Sequence, residues 1–182
     1  MIRLPDRIEL SGLALRPPRL EDAPALFAWA SDPEVTRYLG FAPHRDLEAS
    51  RAVLRRWEKA WAESGGRLLP CRPLPFLIEA GGEAVGSLAV TALRYGYELG
   101  YALRRDRWGQ GLMPRAVAGL AEALLARGAV RVTATAHVEN TASHRTLEKA
   151  GFAREGHLRR YFYFPNLGGY GDGYLYARVA PG

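Results

Sequence analysis

The chain has 182 residues, of which 48% are hydrophobic, and a formal net charge of +6, so it can bury one sizeable core and reads as a single domain over residues 1–182. The basic balance does not point to a nucleic-acid partner. Lysine occurs only at Lys59 and Lys149, and the arginines are spread along the chain with no stripe broken by stacking aromatics.

Residues 1–9 are charged and lack an apolar run, which argues against a signal peptide, and no later stretch approaches bilayer-spanning length. Residues 8–16 alternate and predict a first strand. A helix then opens at Arg19-Leu20-Glu21-Asp22 and ends near Pro33, with Leu26, Phe27 and Trp29 on its apolar side. A longer helix is expected over 47–63, where Val53, Leu54, Trp57 and Trp61 recur at helical spacing until Gly65-Gly66 stops it. Residues 75–80 and 84–93 read as a hairpin around Gly81-Gly82-Glu83, and 97–103 as the next strand. Cys71 falls in a loop. As the sole cysteine it excludes an intrachain disulfide framework and a multi-cysteine metal site, so no metal is expected and a reduced, cytoplasmic setting is.

After residue 103 the pattern changes. A charged, glycine-bearing stretch from Arg104 to Gly111 leads into a helix running to about Arg127 and capped by Gly128. A β-branched strand over 130–138, a short helix over 140–150, and two aromatic-rich strands between 152 and 179 complete the chain. The expected fold is a mixed α/β domain with strands joined by helices on both sides.

Two junctions carry chemistry. Gly109-Gln110-Gly111 precedes a helix start, where glycines allow close backbone approach and free N–H groups favour an anion. The Lys-Ser/Thr pair of a nucleotide-binding P-loop is absent. Arg105, Arg107 and Arg115 cluster there, and a cation such as Arg115 in a first helical turn asks for a nearby anion, although a solvated arginine reads equally well. The second junction is Asn140-Thr-Ala-Ser143. Asn140 is a natural helix cap, and Ser143, one turn on, can address the same ligand.

Tyr-Glu-Leu-Gly-Tyr (97–101), Trp-Gly-Gln-Gly-Leu-Met (108–113), Asn-x-x-Ser (140–143), Lys-Ala-Gly-Phe (149–152) and Glu155-Gly156 through Asp172 together resemble the GNAT superfamily of N-acetyltransferases. Leu-Arg-Pro (15–17), Glu-Asp-Ala (21–23) and Ser-Asp-Pro-Glu-Val (31–35) are similar to its branch of ribosomal-protein N-terminal acetyltransferases, the RimJ/RimL-like group. The resemblance implies a mixed, mostly antiparallel central sheet splayed between two strands, with acetyl-CoA as co-substrate in the gap. It implies a coenzyme A site of Leu103, Arg104, Arg105, Trp108, Gly109, Gln110, Gly111, Leu112, Met113, Arg115 and Asn140. The chain departs from the family pattern at Asp106, where Gln or Arg is common, and at Pro114-Arg115, where Thr-Glu is usual.

The resemblance also implies direct acyl transfer to an amine. Glu98 shares a strand face with the small residues Gly100 and Ala102 and is the candidate to take the amine proton, with Glu155 as the second candidate. Many members place a tyrosine where this chain has Leu147, and Ser143 is the candidate to serve the departing sulfur instead. The four histidines lack a nucleophile-elbow context, so a Ser-His-Asp triad is not indicated. Phe162, Tyr163, Phe164, Tyr170 and Tyr174 are expected at the acceptor end. The acceptor reads as a protein N-terminal amine, with a polyamine, amino sugar or antibiotic as the alternative and a non-catalytic acyl-CoA-binding or RNA-associated role as a third. No membrane partner is expected, and the oligomeric state, including a homodimer, is left open.

Overall fold

A computed structural model of the chain describes residues 2–181. The first alternating stretch is two strands rather than the one expected, β1 (Ile8–Leu10) and β2 (Leu13–Arg16). Ser11-Gly12 folds them into an antiparallel hairpin with Leu10 opposite Leu13, and Gly12 takes a φ of +74°, a conformation that favours glycine. A 3-10 turn over Leu20–Asp22 leads to α1 (Ala23–Ala30). The four-residue α2 (Pro33–Thr36) follows, started by the Asp32 side chain accepting the Glu34 N–H. Periodicity could not reveal α2, because one turn is too short to repeat. Helix α3 (Leu47–Ser64) matches expectation, with Asp46 accepting the Ala49 N–H at 2.8 Å and Gly65 ending it.

Strands β3 (Pro73–Ala80), β4 (Glu83–Leu93) and β5 (Gly96–Leu103) form a meander. Then come α4 (Leu112–Leu125), β6 (Arg131–His137), α5 (Thr141–Lys149), β7 (Ala153–Phe164) and β8 (Gly169–Val179). The eight strands make one sheet in the order β1-β2-β3-β4-β5-β6-β8-β7. Strands β5 and β6 pair in parallel, and the other neighbours are antiparallel.

One face of the sheet carries α4 and α5. Ala116, Val117, Leu120 and Leu124 of α4 meet Phe76, Val132 and Ala134 there, in a core that includes Leu147 of α5. The other face carries α1 and α3, where Leu26, Trp29 and Leu54 close over Leu77 and Ala84. Removing such apolar side chains from water, at about 25 cal/mol per Å², is the main force joining the layers. Alternation along β5 sends Leu99 and Leu103 into the α4 core and Ala102 toward α1 and α3.

The β5–β6 pairing covers only Tyr97–Leu99 against Val132–Ala134. From Gly100 the two strands diverge while β5 stays paired with β4 as far as Leu103. The sheet is therefore splayed at its middle, as expected, and residues from both faces can look into the opening.

Candidate active site

The opening has two branches. One, about 380 Å³, runs from the splay to the start of α4. Gly109 and Gly111 lie in its wall at φ of +75° and +70°, and a Cβ at either position would meet nothing within 4 Å. The backbone thus turns in a way that favours glycine and leaves its surface bare. Gly111 caps α4 without any side-chain hydrogen bond to the helix, so the N–H groups of Leu112 and Met113 have no helical acceptor. Pro114 removes the next donor but fits a first turn. Trp108 donates from Nε1 to the Leu103 carbonyl at 2.8 Å, which ties the loop to the end of β5.

Helix α5 forms the facing wall with Asn140, Ala142, Ser143, Arg145, Thr146 and Lys149. The Asn140 side chain accepts the Ser143 N–H at 3.1 Å and so acts as the helix cap. This capping orients the first turn and places Ser143 at the splay. There the Ser143 hydroxyl lies 2.8 Å from the Tyr101 hydroxyl. Burial pushes the Tyr101 phenol well above its usual range, so Tyr101 stays protonated, and either hydroxyl of the pair can donate. Leu147, at 0% exposure, is core.

The second branch, about 350 Å³, opens on the other side of Ser143. Glu98 lines it, with Thr91, Gly100 and Thr135 around and His137, Tyr161, Phe162 and Phe164 further out. Burial raises the Glu98 pKa above the usual carboxylate value, and the nearby Thr135 hydroxyl opposes part of that shift. Thr135 Oγ1 itself is buried and outside hydrogen-bond geometry with any described residue. His137 accepts the Glu139 N–H at Nδ1 and stacks on Tyr38 at 4.9 Å. The two branches share Tyr38, Leu39, Tyr101, Asn140 and Ser143.

Of the residues expected at the cofactor, Leu103, Trp108, Gly109, Gly111, Leu112, Met113 and Asn140 line the first branch. Arg104, Arg105, Gln110 and Arg115 stand outside its lining. Arg104 pairs with Asp106 and Glu83, and Arg105 with Asp32. Gln110 donates to the Asp106 carbonyl. Arg115 donates to the carbonyls of Ser11 at 2.6 Å and Gly111 at 3.1 Å. Backbone oxygens thus supply the negative partner that its place in the helix demands, and no ligand is needed to explain it. Glu155 pairs with Arg131, which holds its carboxyl below the usual range, and it lines neither branch. Tyr163 and Tyr170 pack edge to face on each other at the surface, while Tyr174 packs beside His144 and His157. Of the aromatics expected at the acceptor end, Phe162 and Phe164 alone line the second branch.

Sequence reasoning missed Tyr101 as a partner of Ser143, the cations Arg145 and Lys149, and the wall at Tyr38-Leu39. A signal existed for the cations. Ala142, Arg145 and Lys149 sit three and four apart, which places them on one helix side near Ser143. Nothing local marks Tyr38, which reaches the site only through the fold.

The model of the acetyltransferase (GNAT) domain matches residues 13–153, and the chain belongs to this family. It is 30% identical over 162 residues to the uncharacterized N-acetyltransferase YoaA of Bacillus subtilis strain 168, covering 86% of this chain and 88% of that one. Among solved structures, Mycobacterium smegmatis RimJ in complex with CoA-disulfide matches with a TM-score of 0.78 and 26% identity, over 96% of this chain and 86% of that one. RimL, a ribosomal L7/L12 α-N-protein acetyltransferase in complex with coenzyme A, shares the fold with a TM-score of 0.81 at 23% identity, over 96% of this chain and 98% of that one. The protein is an acetyltransferase. Among the described residues no helix is long and apolar enough to cross a membrane.

Proposed function

We propose that this enzyme transfers an acetyl group directly from acetyl-CoA to the N-terminal amine of a protein. The observation that carries the reading is the meeting of the two branches at Ser143 and Tyr101, with a bare glycine loop at one end and a half-buried carboxylate at the other. The residues present fit coenzyme A. The Gly109–Met113 backbone offers unpartnered N–H groups to a pyrophosphate, and Arg107, Arg145 and Lys149 line the same branch as cations. The unpaired edge of β5 beyond Leu99 offers main-chain groups to an extended amide-bearing arm. When bound, coenzyme A supplies an acyl group already activated as a thioester.

The chain's own residues then have three tasks. Glu98 takes the proton that the attacking amine sheds, and its raised pKa makes it a stronger base than an exposed carboxylate. Ser143 donates a hydrogen bond to the departing sulfur. This role requires Tyr101, kept protonated by burial and 2.8 Å from Ser143, to act as the donor of that pair, which frees the serine proton to face the sulfur. The acceptor branch admits a chain end between Tyr38 and the β7–β8 hairpin, which suits a protein N-terminus. An exposed free thiol at Cys71 suits a reducing, cytoplasmic setting.

The test is mass spectrometry of peptides and small amines incubated with acetyl-CoA and the enzyme. N-terminally acetylated peptide is the expected product. Acetylation confined to polyamines, amino sugars or antibiotics would move the acceptor to small molecules, and no transfer to any amine would overturn the reading.

A further inference from the structure

Tyr161 and Phe162 are chain neighbours in β7, yet both line the acceptor branch. A regular strand sends successive side chains to opposite faces. Strand β7 escapes this rule by an irregularity in its pairing with β8. Leu158 pairs with Gly173 and Phe162 with Gly171, so Arg159, Arg160 and Tyr161 together stand opposite Asp172. Within that bulge Arg160 has a φ of +48°, a left-handed conformation disfavoured for a residue with a Cβ.

Asp172 holds the bulge in place. Its Oδ1 accepts the Arg160 N–H at 2.9 Å, and its Oδ2 lies 2.7 Å from His157 Nε2. The surroundings are cut to receive the two rings. At Gly173 a Cβ would crowd Thr135 Cγ2 at 2.8 Å and reach Tyr161 Cδ1 only at ordinary contact, 3.9 Å. On the opposite wall, a Cβ at Gly40 would stand 2.8 Å from Phe162 Cζ. Asn166 donates to the carbonyls of Thr36 at 2.6 Å and Phe41 at 2.9 Å, tying the segment after β7 to the loop that carries Gly40. Glu98 is the one carboxylate in a lining otherwise rich in aromatic rings.

We propose that Asp172 is a positioning residue for the acceptor: by holding the left-handed bulge at Arg160 it turns Tyr161 and Phe162 inward, and the wall they form selects a singly charged amine flanked by an apolar group. This rests on the reading of the second branch as the acceptor site. An amine beside an apolar side chain places its charge near Glu98 and its hydrocarbon against the rings. A second ammonium or guanidinium group would lose water there without gaining a carboxylate.

The experiment compares wild type, Asp172→Ala, Asp172→Ala with Arg160→Gly, and Gly40→Ala. Steady-state kinetics use acetyl-CoA and two tetrapeptides that differ only in a first residue of Leu or Arg, alongside calorimetric titration with coenzyme A. Wild type should favour the Leu peptide by roughly tenfold in kcat/KM, in the range one hydrophobic contact supplies. Asp172→Ala should raise the KM for that peptide by a similar factor with coenzyme A affinity unchanged. Adding Arg160→Gly should recover most of the loss, because glycine adopts the left-handed conformation without being held. Gly40→Ala, which displaces Phe162 and leaves the bulge alone, should raise the same KM, and it carries the test if Asp172→Ala folds poorly. An unchanged acceptor KM in both Asp172→Ala and Gly40→Ala overturns the proposal, as does a loss that Arg160→Gly leaves untouched. Wild type that acetylates neither peptide overturns the acceptor reading itself, a failure visible before any variant is compared.

Discussion

At the scale of single residues, Ser143 and Glu98 are separable because they face different events. If Ser143 serves the leaving side as proposed, Ser143→Ala should lower kcat by about 10²–10⁴-fold while coenzyme A affinity stays close to wild type. Turnover assays with parallel calorimetry check this, and normal turnover in the variant would remove the serine from the mechanism. Glu98 makes a stability prediction as well as a kinetic one. Burial raises its folded-state pKa above the ordinary glutamate value, so the neutral form is the one the fold accommodates. The stability this group allows is complete below its unfolded pKa and is lost as pH rises through the folded one. Glu98→Gln cannot ionise. It should therefore melt at a higher temperature than wild type near pH 8 and at the same temperature near pH 3.5, while its activity falls most at low pH. A melting difference that grows toward acid would mean the carboxylate is stabilised as an anion and is poorly placed as a base.

At the scale of elements, the site depends on how helices begin. Helix α5 starts on Asn140, and that cap points Ser143 at Tyr101. Helix α4 starts on Gly111 in a left-handed conformation with no capping side chain, which leaves its first N–H groups without a helical acceptor, and the proposal seats the pyrophosphate there. Gly111→Val should then abolish coenzyme A binding by calorimetry while circular dichroism stays that of a folded protein. The reasons are that valine is disfavoured at positive φ and adds bulk to a bare surface. Unchanged affinity would take the pyrophosphate away from this loop. Both helix starts were legible in the sequence, since Asn and Gly at these positions carry local physical meaning. The bulge in β7 was not. No residue type at Arg160 announces a left-handed backbone, and Asp172, which holds it, is twelve residues away.

At the scale of the whole molecule, the sheet is braced by an ion cluster centred on the buried Arg16. Arg16 forms a bidentate pair with Asp22 at 2.9 and 2.7 Å and a further contact with Glu79 at 2.6 Å, joining β2, the turn before α1, and β3. Asp22→Asn leaves Arg16 with a weakened partner in a buried place and should cost up to ~3–5 kcal/mol in chemical denaturation. A loss within experimental error would show that water or Glu79 replaces the pair. Hydrogen bonds from Arg7 and Arg16 hold the Glu79 carboxyl below its usual range. Its contribution is therefore present above the unfolded value of 4.5 and lost as pH falls from there through the folded one. The cluster and Glu98 thus set opposite pH slopes, and the two are distinguishable in melts of the single variants.

The sequence by itself determined what is local: the periodic helices α1, α3 and α4, the hairpins around Gly81-Gly82 and Gly168-Gly169, the glycine-bearing loop, and the Asn140 cap. Each of these follows from spacing or from a residue's own backbone preference, which neighbours in the chain suffice to express. The ordered motifs also carried the family, because their sequence and separation reflect the same run of elements. Tertiary structure alone decided which of those residues meet. Tyr101 reaches Ser143 from 42 positions away, and Glu98 and Tyr101, on opposite faces of one strand, share an opening because β5 leaves β6 after Leu99. It also gave Arg104, Arg105, Arg115 and Glu155 partners that no local pattern names. The physical reason is that a charge takes whichever partner the packed chain brings within a few ångströms, and only the completed fold settles that distance.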